Sequence, residues 1–144
     1  MSLHRLFQNS SQGERMEQII GIGMDQIEIG RVTKAVQKGS FLHRYYSKRE
    51  QGIIGKRLTS AATNFAGKEA VVKALGTGFA GVLPVEVEIL RNSSGAPYVE
   101  LSGNAKEIAG SLGVEKIYIS LSDSRTMAAA FAVAVGKAEK MQEE

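Results

Sequence analysis

The 144-residue chain has no cysteine, no tryptophan, two prolines and two histidines. Without cysteine there is no disulfide, no thiolate nucleophile and no zinc-thiolate site, and a reducing compartment, the cytoplasm, is the expected location. His4 and His43 are too few to support a Ser-His-Asp triad. His43, beside Arg44 and two tyrosines, reads as a surface or packing residue. Long hydrophobic runs are also missing. Met127 to Val135 is too short to span a bilayer, and residues 1 to 18 lack the continuous apolar stretch of a signal peptide, so no membrane segment is expected. The charge balance is mildly basic, at +3 with a pI near 9.2. No aromatic-interleaved basic stripe accompanies it, so nucleic acid is not an expected partner, whereas an acidic protein would suit it.

What remains is ordinary for one globular domain, with 23% charged and 43% hydrophobic residues. The expected division is a flexible N-terminal tail over 1–18, one domain over 19–138 and a short tail over 139–144. Ile19 to Ile29 alternates like a strand, punctuated by Asp25 and Glu28, and Gly30-Arg31 then opens a short helix with Val32, Ala35 and Val36 on one face. Ser47 and Glu50 have capping-box spacing for a helix running to Lys56. Thr59 or Ser60 is placed to cap a second helix through Leu75, with Gly76 just past its end. Strands are expected from Val85 to Leu90 and Pro97 to Leu101 around the turn Asn92–Gly95, then a helix over Asn104–Leu112, then strands over Lys116–Leu121 and Met127–Val135. Helices followed by antiparallel pairs predict an α+β fold.

Gly76-Thr77-Gly78-Phe79-Ala80-Gly81 matches a dinucleotide fingerprint in letters only. It follows a helix and precedes a proline, where the fingerprint needs strand before and helix after. Gly21-x-Gly23 follows apolar residues but lacks the third glycine, and no phosphate-binding P-loop sequence occurs.

Two other places carry chemistry. Asp25 sits in an otherwise apolar strand, where an unpaired carboxylate is costly. Glu69 and Lys73 are one turn apart on a helix with few polar side chains. Their spacing alone describes a solvated surface ion pair. Together with Asp25, they could instead hold a magnesium ion against a phosphate, because magnesium needs only one or two carboxylates plus water and substrate oxygens.

Gly23, Asp25 and Arg31, followed by Phe-Ala-x-Lys-Glu-Ala-x-x-Lys-Ala-x-Gly-Thr-Gly from Phe65 to Gly78, resemble the holo-acyl-carrier-protein synthases, the short class of 4′-phosphopantetheinyl transferase. The resemblance extends from about Ile20 to Val135 and includes the Gly95-x-Pro97 turn. It implies a 4′-phosphopantetheinyl transferase fold, an antiparallel sheet packed against helices, assembled as a homotrimer with each active site at a subunit interface. The implied reaction is magnesium-dependent transfer of 4′-phosphopantetheine from coenzyme A to a serine of apo-acyl carrier protein, releasing 3′,5′-ADP for fatty acid biosynthesis. Asp25 and Glu69 match the metal ligands, Lys73 the lysine beside the pyrophosphate, and Arg31 a position that meets acidic residues of the carrier protein. Asn64, Phe65, Lys73, Gly76, Gly95, Pro97, Ser122 and Asp123 match the coenzyme A-binding region.

Three positions depart from the family pattern. Asn64 stands where arginine is usual, Ala96 where a basic residue is frequent, and Asp123 where histidine is typical. Loss of these cations implies a weaker grip on the nucleotide phosphates, or compensation by Lys56 or Arg57; on this reading Asn64→Arg lowers the KM for coenzyme A. Asp123, if near the metal, would be an added ligand or base. Alternatives are the same chemistry on a polyketide-type carrier protein and a noncatalytic trimer that binds coenzyme A.

Overall fold

The computed structural model describes residues 16–137. The two expected tails fall outside the described residues apart from 16–18, of which Gln18 already belongs to the first strand, and His4 lies outside as well. In chain order the elements are β1 (Gln18–Glu28), α1 (Ile29–Val36), α2 (Gly39–Tyr45), α3 (Lys48–Lys56), α4 (Ser60–Leu75), a 3-10 turn (Pro84–Glu86), β2 (Val87–Arg91), β3 (Pro97–Leu101), α5 (Gly103–Ser111), β4 (Val114–Asp123) and β5 (Met127–Gly136). Antiparallel sheets packed on helices make this the expected α+β fold.

Alanine decides how the layers meet. The larger sheet has the order β1-β5-β4, and its central strand presents Ala128, Ala130, Ala132 and Ala134 to α4, each at most 3% exposed. Small side chains on both surfaces let the helix lie close, and α4 itself is buried along most of its length. β1 comes closer still. A Cβ on Gly21 would stand 1.9 Å from the Ala74 carbonyl oxygen, and one on Gly23 would stand 2.0 Å from that of Ala70. These two glycines serve backbone-to-backbone contact, not phosphate binding.

A buried polar cluster ties α3, α4 and β2 together. The Glu50 carboxylate accepts from Lys68 Nζ at 2.6 Å, Asn64 Nδ2 at 2.9 Å, and the backbone N–H groups of Ser47 and Ile89, both at 3.1 Å. Lys68 Nζ also donates to the carbonyls of Pro84 and Val87. Burial pulls the Lys68 ammonium below its ordinary pKa, while the charge of Glu50 and its hydrogen bond oppose that. Three acceptors call for three N–H donors, which only the protonated amine supplies, so Lys68 is charged.

The Ser47–Glu50 capping box forms as expected, and Gly76 closes α4 with φ of 80°. Four details differ from the sequence expectation. Neither Thr59 nor Ser60 caps α4 through its side chain. The strand expected from Val85 begins at Val87, because Pro84 starts a 3-10 turn. There the Glu86 carboxylate accepts from the N–H groups of Leu83, Asn104 and Ala105, which also caps α5. Ser122 and Asp123, read as a loop, extend β4. Helix α2 has no side-chain cap, and nothing in the sequence reading announced it.

Lys68→Met leaves the Glu50 carboxylate buried without its cation. It should cost about 3–5 kcal/mol in urea unfolding; a change under about 1 kcal/mol would mean the cluster adds little to stability.

Candidate active site

The close contact of β1 on α4 builds the site. Gly21 lies over Ala74 and Gly23 over Ala70, so the strand runs back along the helix and Asp25, two residues on and on the same face, comes over the next turn. Lys73 reaches across from the helix. Its ammonium donates to the Met24 carbonyl at 2.9 Å and to Asp25 Oδ1 at 3.1 Å. Asp25 is mostly covered, with 16% of its side chain exposed against 50% for Lys73. The Lys73 cation thus pairs across the strand-helix junction with Asp25, while Glu69 accepts from the Tyr45 hydroxyl through Oε2 at 3.2 Å. Among the described residues no Glu69–Lys73 ion pair forms, so the helical i,i+4 pair is not how this lysine is used.

Tyr45 sits against Glu69, within the field of Asp25. Burial, the charge of Glu69 and the hydrogen bond to it, and then the fields of Tyr46 and Asp25, push the Tyr45 phenol well above its ordinary pKa. It therefore stays protonated and donates to Glu69. Beyond its ring lies a pocket of about 510 Å³ lined by Phe41, Arg44, Leu83, Pro84 and Val85.

Asp25 and Glu69 are the carboxylates available for a cation here. No group of three or more His, Cys, Asp or Glu residues suited to a metal occurs among the described residues. Two carboxylates are a sufficient protein share for a magnesium ion whose remaining ligands would be substrate phosphate oxygens and water.

The other expected residues are spread over the subunit. Phe65 lies against Tyr45, with ring centroids 4.9 Å apart. Gly76 is exposed at the C-terminal end of α4. Ser122 lies on the sheet face turned away from α4, beside Met24 and Phe131. Gly95 and Pro97 shape the tip of the β2–β3 hairpin, with φ of 89° at Gly95. Arg31 is exposed and lines a groove with Lys34, Arg125, Glu28 and Thr126 at the end of β1. His43 is exposed, as expected of a surface residue.

Asn64 requires a correction. It is completely buried, donating to Glu50 and to the Ile89 carbonyl, and it accepts from Arg91 Nη2 at 2.8 Å. It has no free face for coenzyme A. An arginine there would place a second guanidinium in the cluster, so a lower KM is no longer expected from that substitution. Asp123 is likewise engaged, pairing with Arg57 at 3.3 Å. The proposed compensating arginine thus offsets Asp123 within the subunit.

Glu50, Lys68, Arg91 and Tyr45 were not singled out by the sequence as a network. Glu50 read as a helix cap and Lys68 as one letter of a motif. The only signal for the buried pair was a lysine within an alanine-rich helix that has few polar side chains.

With this geometry in view, residues 21–135 match the family model described as the 4′-phosphopantetheinyl transferase superfamily. The chain belongs to that superfamily. Among its relatives is the holo-[acyl-carrier-protein] synthase of Lachnoclostridium phytofermentans, 44% identical over 115 residues, or 80% of this chain and 94% of that protein. The holo-ACP-synthase from Plasmodium yoelii has the same fold with a TM-score of 0.75 and 30% identity, covering 85% of this chain and 98% of that one. The Helicobacter pylori holo-[acyl-carrier-protein] synthase, solved in complex with coenzyme A, aligns with a TM-score of 0.71 and 31% identity over 78% of this chain and 98% of that one. No helix among the described residues is long and apolar enough to cross a membrane.

Gly23→Ala forces the strand off the helix at the point that sets Asp25. It should destabilise the fold by at least about 2 kcal/mol in denaturant titration. An unchanged midpoint would show that the contact is not tight.

Proposed function

We propose that this protein transfers the 4′-phosphopantetheine group of coenzyme A to a serine hydroxyl of apo-acyl carrier protein, with Asp25 and Glu69 holding magnesium and Lys73 facing the pyrophosphate. The observation that carries this reading is the meeting of Asp25 and Lys73 across β1 and α4, with Glu69 one turn away on the same helix. In the reaction the serine oxygen bonds to the β-phosphorus and gives up its proton to water, the pyrophosphate bridge breaks, and 3′,5′-ADP leaves with the bridging oxygen. When bound, the magnesium ion supplies Lewis acidity and a template for the phosphates. Lys73, held by Met24 and Asp25, provides a cation fixed in place before charge builds on the leaving phosphate. Asp25 and Glu69 would supply the carboxylate oxygens that hold the metal. The apolar pocket beyond Tyr45 suits the aliphatic part of the pantetheine arm.

The assembly is a homotrimer in this reading. Its support is the sheet face opposite α4, where Ile22, Met24, Tyr118 and Phe131 are all exposed. Another subunit covering that face would also meet Ser122, which lies on it. Arg31, with Lys34 and Arg125 beside it, offers a basic rim to an acidic carrier protein, which favours rapid encounter. The cysteine-free composition suits work in the cytoplasm in fatty acid biosynthesis.

Intact mass of apo-acyl carrier protein after incubation with the protein, coenzyme A and magnesium provides the test. A gain of one phosphopantetheine group is expected, abolished by EDTA and slowed at least about 100-fold by Glu69→Ala. No gain on any of several carrier proteins would contradict the assignment.

A further inference from the structure

Tyr45 ends helix α2 and packs against two aromatic rings nearly parallel to its own, Phe41 and Phe65, which also lie against each other at 6.4 Å. Phe41 stacks on it at 5.0 Å with planes 14° apart, Phe65 at 4.9 Å with planes 13° apart, and Phe79 meets it edge-on at 6.1 Å. Phe65 is one helical turn before Glu69, so the same face of α4 that seats the Tyr45 ring also carries the carboxylate that its hydroxyl reaches. Tyr46, the next residue, is different. Its hydroxyl donates to the Ala61 carbonyl at 2.7 Å inside the core, which is a purely structural bond.

We infer that Tyr45 is a positioning residue, whose hydroxyl fixes one oxygen of Glu69 and leaves the other to the cation; this rests on the metal role proposed above for Glu69. Packing alone does not call for a hydroxyl at this place, because the neighbouring positions of the cluster are filled by phenylalanine. A glutamate on a half-open helix face has several rotamers to lose on binding a metal. The stacked ring has its direction set beforehand by Phe41 and Phe65, so the hydrogen bond to Oε2 restricts Glu69 before the ion arrives. Among the described residues Glu69 makes no other side-chain hydrogen bond. Lys73 does not compete for it, being held at Asp25 and the Met24 carbonyl. Partners of this kind behind a ligand typically govern metal affinity by about 10-fold or more.

Tyr45→Phe keeps the stacked ring and removes only the hydroxyl. The readout is the dissociation constant of Mn2+ for the full-length protein, measured by electron paramagnetic resonance in the presence of 3′,5′-ADP. The substitution should raise it about tenfold and raise the KM for magnesium in parallel, leaving the KM for carrier protein unchanged. In a Glu69→Gln background the same substitution should make no further difference. Equal Mn2+ affinity in wild type and Tyr45→Phe overturns the inference and leaves the metal reading standing. A further loss in the Glu69→Gln background also overturns it, because Tyr45 would then act on something other than Glu69. Failure of the wild-type protein to bind Mn2+ at all overturns both.

Discussion

The structure depends on a strand lying directly on a helix. At Gly21 and Gly23 there is no space for even a methyl group between β1 and the carbonyls of Ala74 and Ala70. Glycine is costly within a strand, since it loses the most backbone entropy on folding and packs nothing. Here that cost is offset by the approach it permits. A strand at this separation carries Asp25 to the helix, within 3.1 Å of Lys73, and the row of alanines on β5 lets the neighbouring strand approach as well. The Asp25–Lys73 pair is thus a property of backbone packing, set before any ligand is considered.

A second constraint acts at right angles to the first. Lys68 and Glu69 are adjacent on α4, yet they point to different worlds. Lys68 goes into the buried cluster with Glu50, Asn64 and Arg91, and Glu69 goes to the open side with Tyr45. Because the Lys68 ammonium is bound at three points, the helix cannot rotate about its axis without breaking charge-assisted bonds in a low-dielectric interior. Glu69 inherits that rigidity. The two sides of the helix therefore divide the labour between holding the element and presenting its chemistry.

Much of this was legible in the sequence where local chemistry decides. The capping box at Ser47 and Glu50, the left-handed Gly76 and the hairpin turn at Asn92–Gly95 all follow from short-range rules, and each formed. The motif residues Asp25, Glu69 and Lys73 could be named, but their pairing could not. Helical spacing favours Glu69 with Lys73, and a tertiary partner displaced it because a backbone carbonyl and a mostly covered carboxylate together hold the ammonium better. Asn64 was misread for a similar reason: a motif position says nothing of whether its side chain faces a cleft or a buried glutamate 14 residues earlier. Helix α2, without a capping side chain, gave no starting signal, and Tyr45 was lost with it.

The central claim is that Asp25 and Glu69, set across one strand-helix contact, hold a single divalent cation between them. Anomalous scattering from crystals grown with Mn2+ and 3′,5′-ADP tests it directly. One strong peak within coordination distance of both carboxylates, with phosphate oxygens completing the sphere, is the expected result. A peak bound by neither residue, or by only one of them with the other still turned away, would contradict the account.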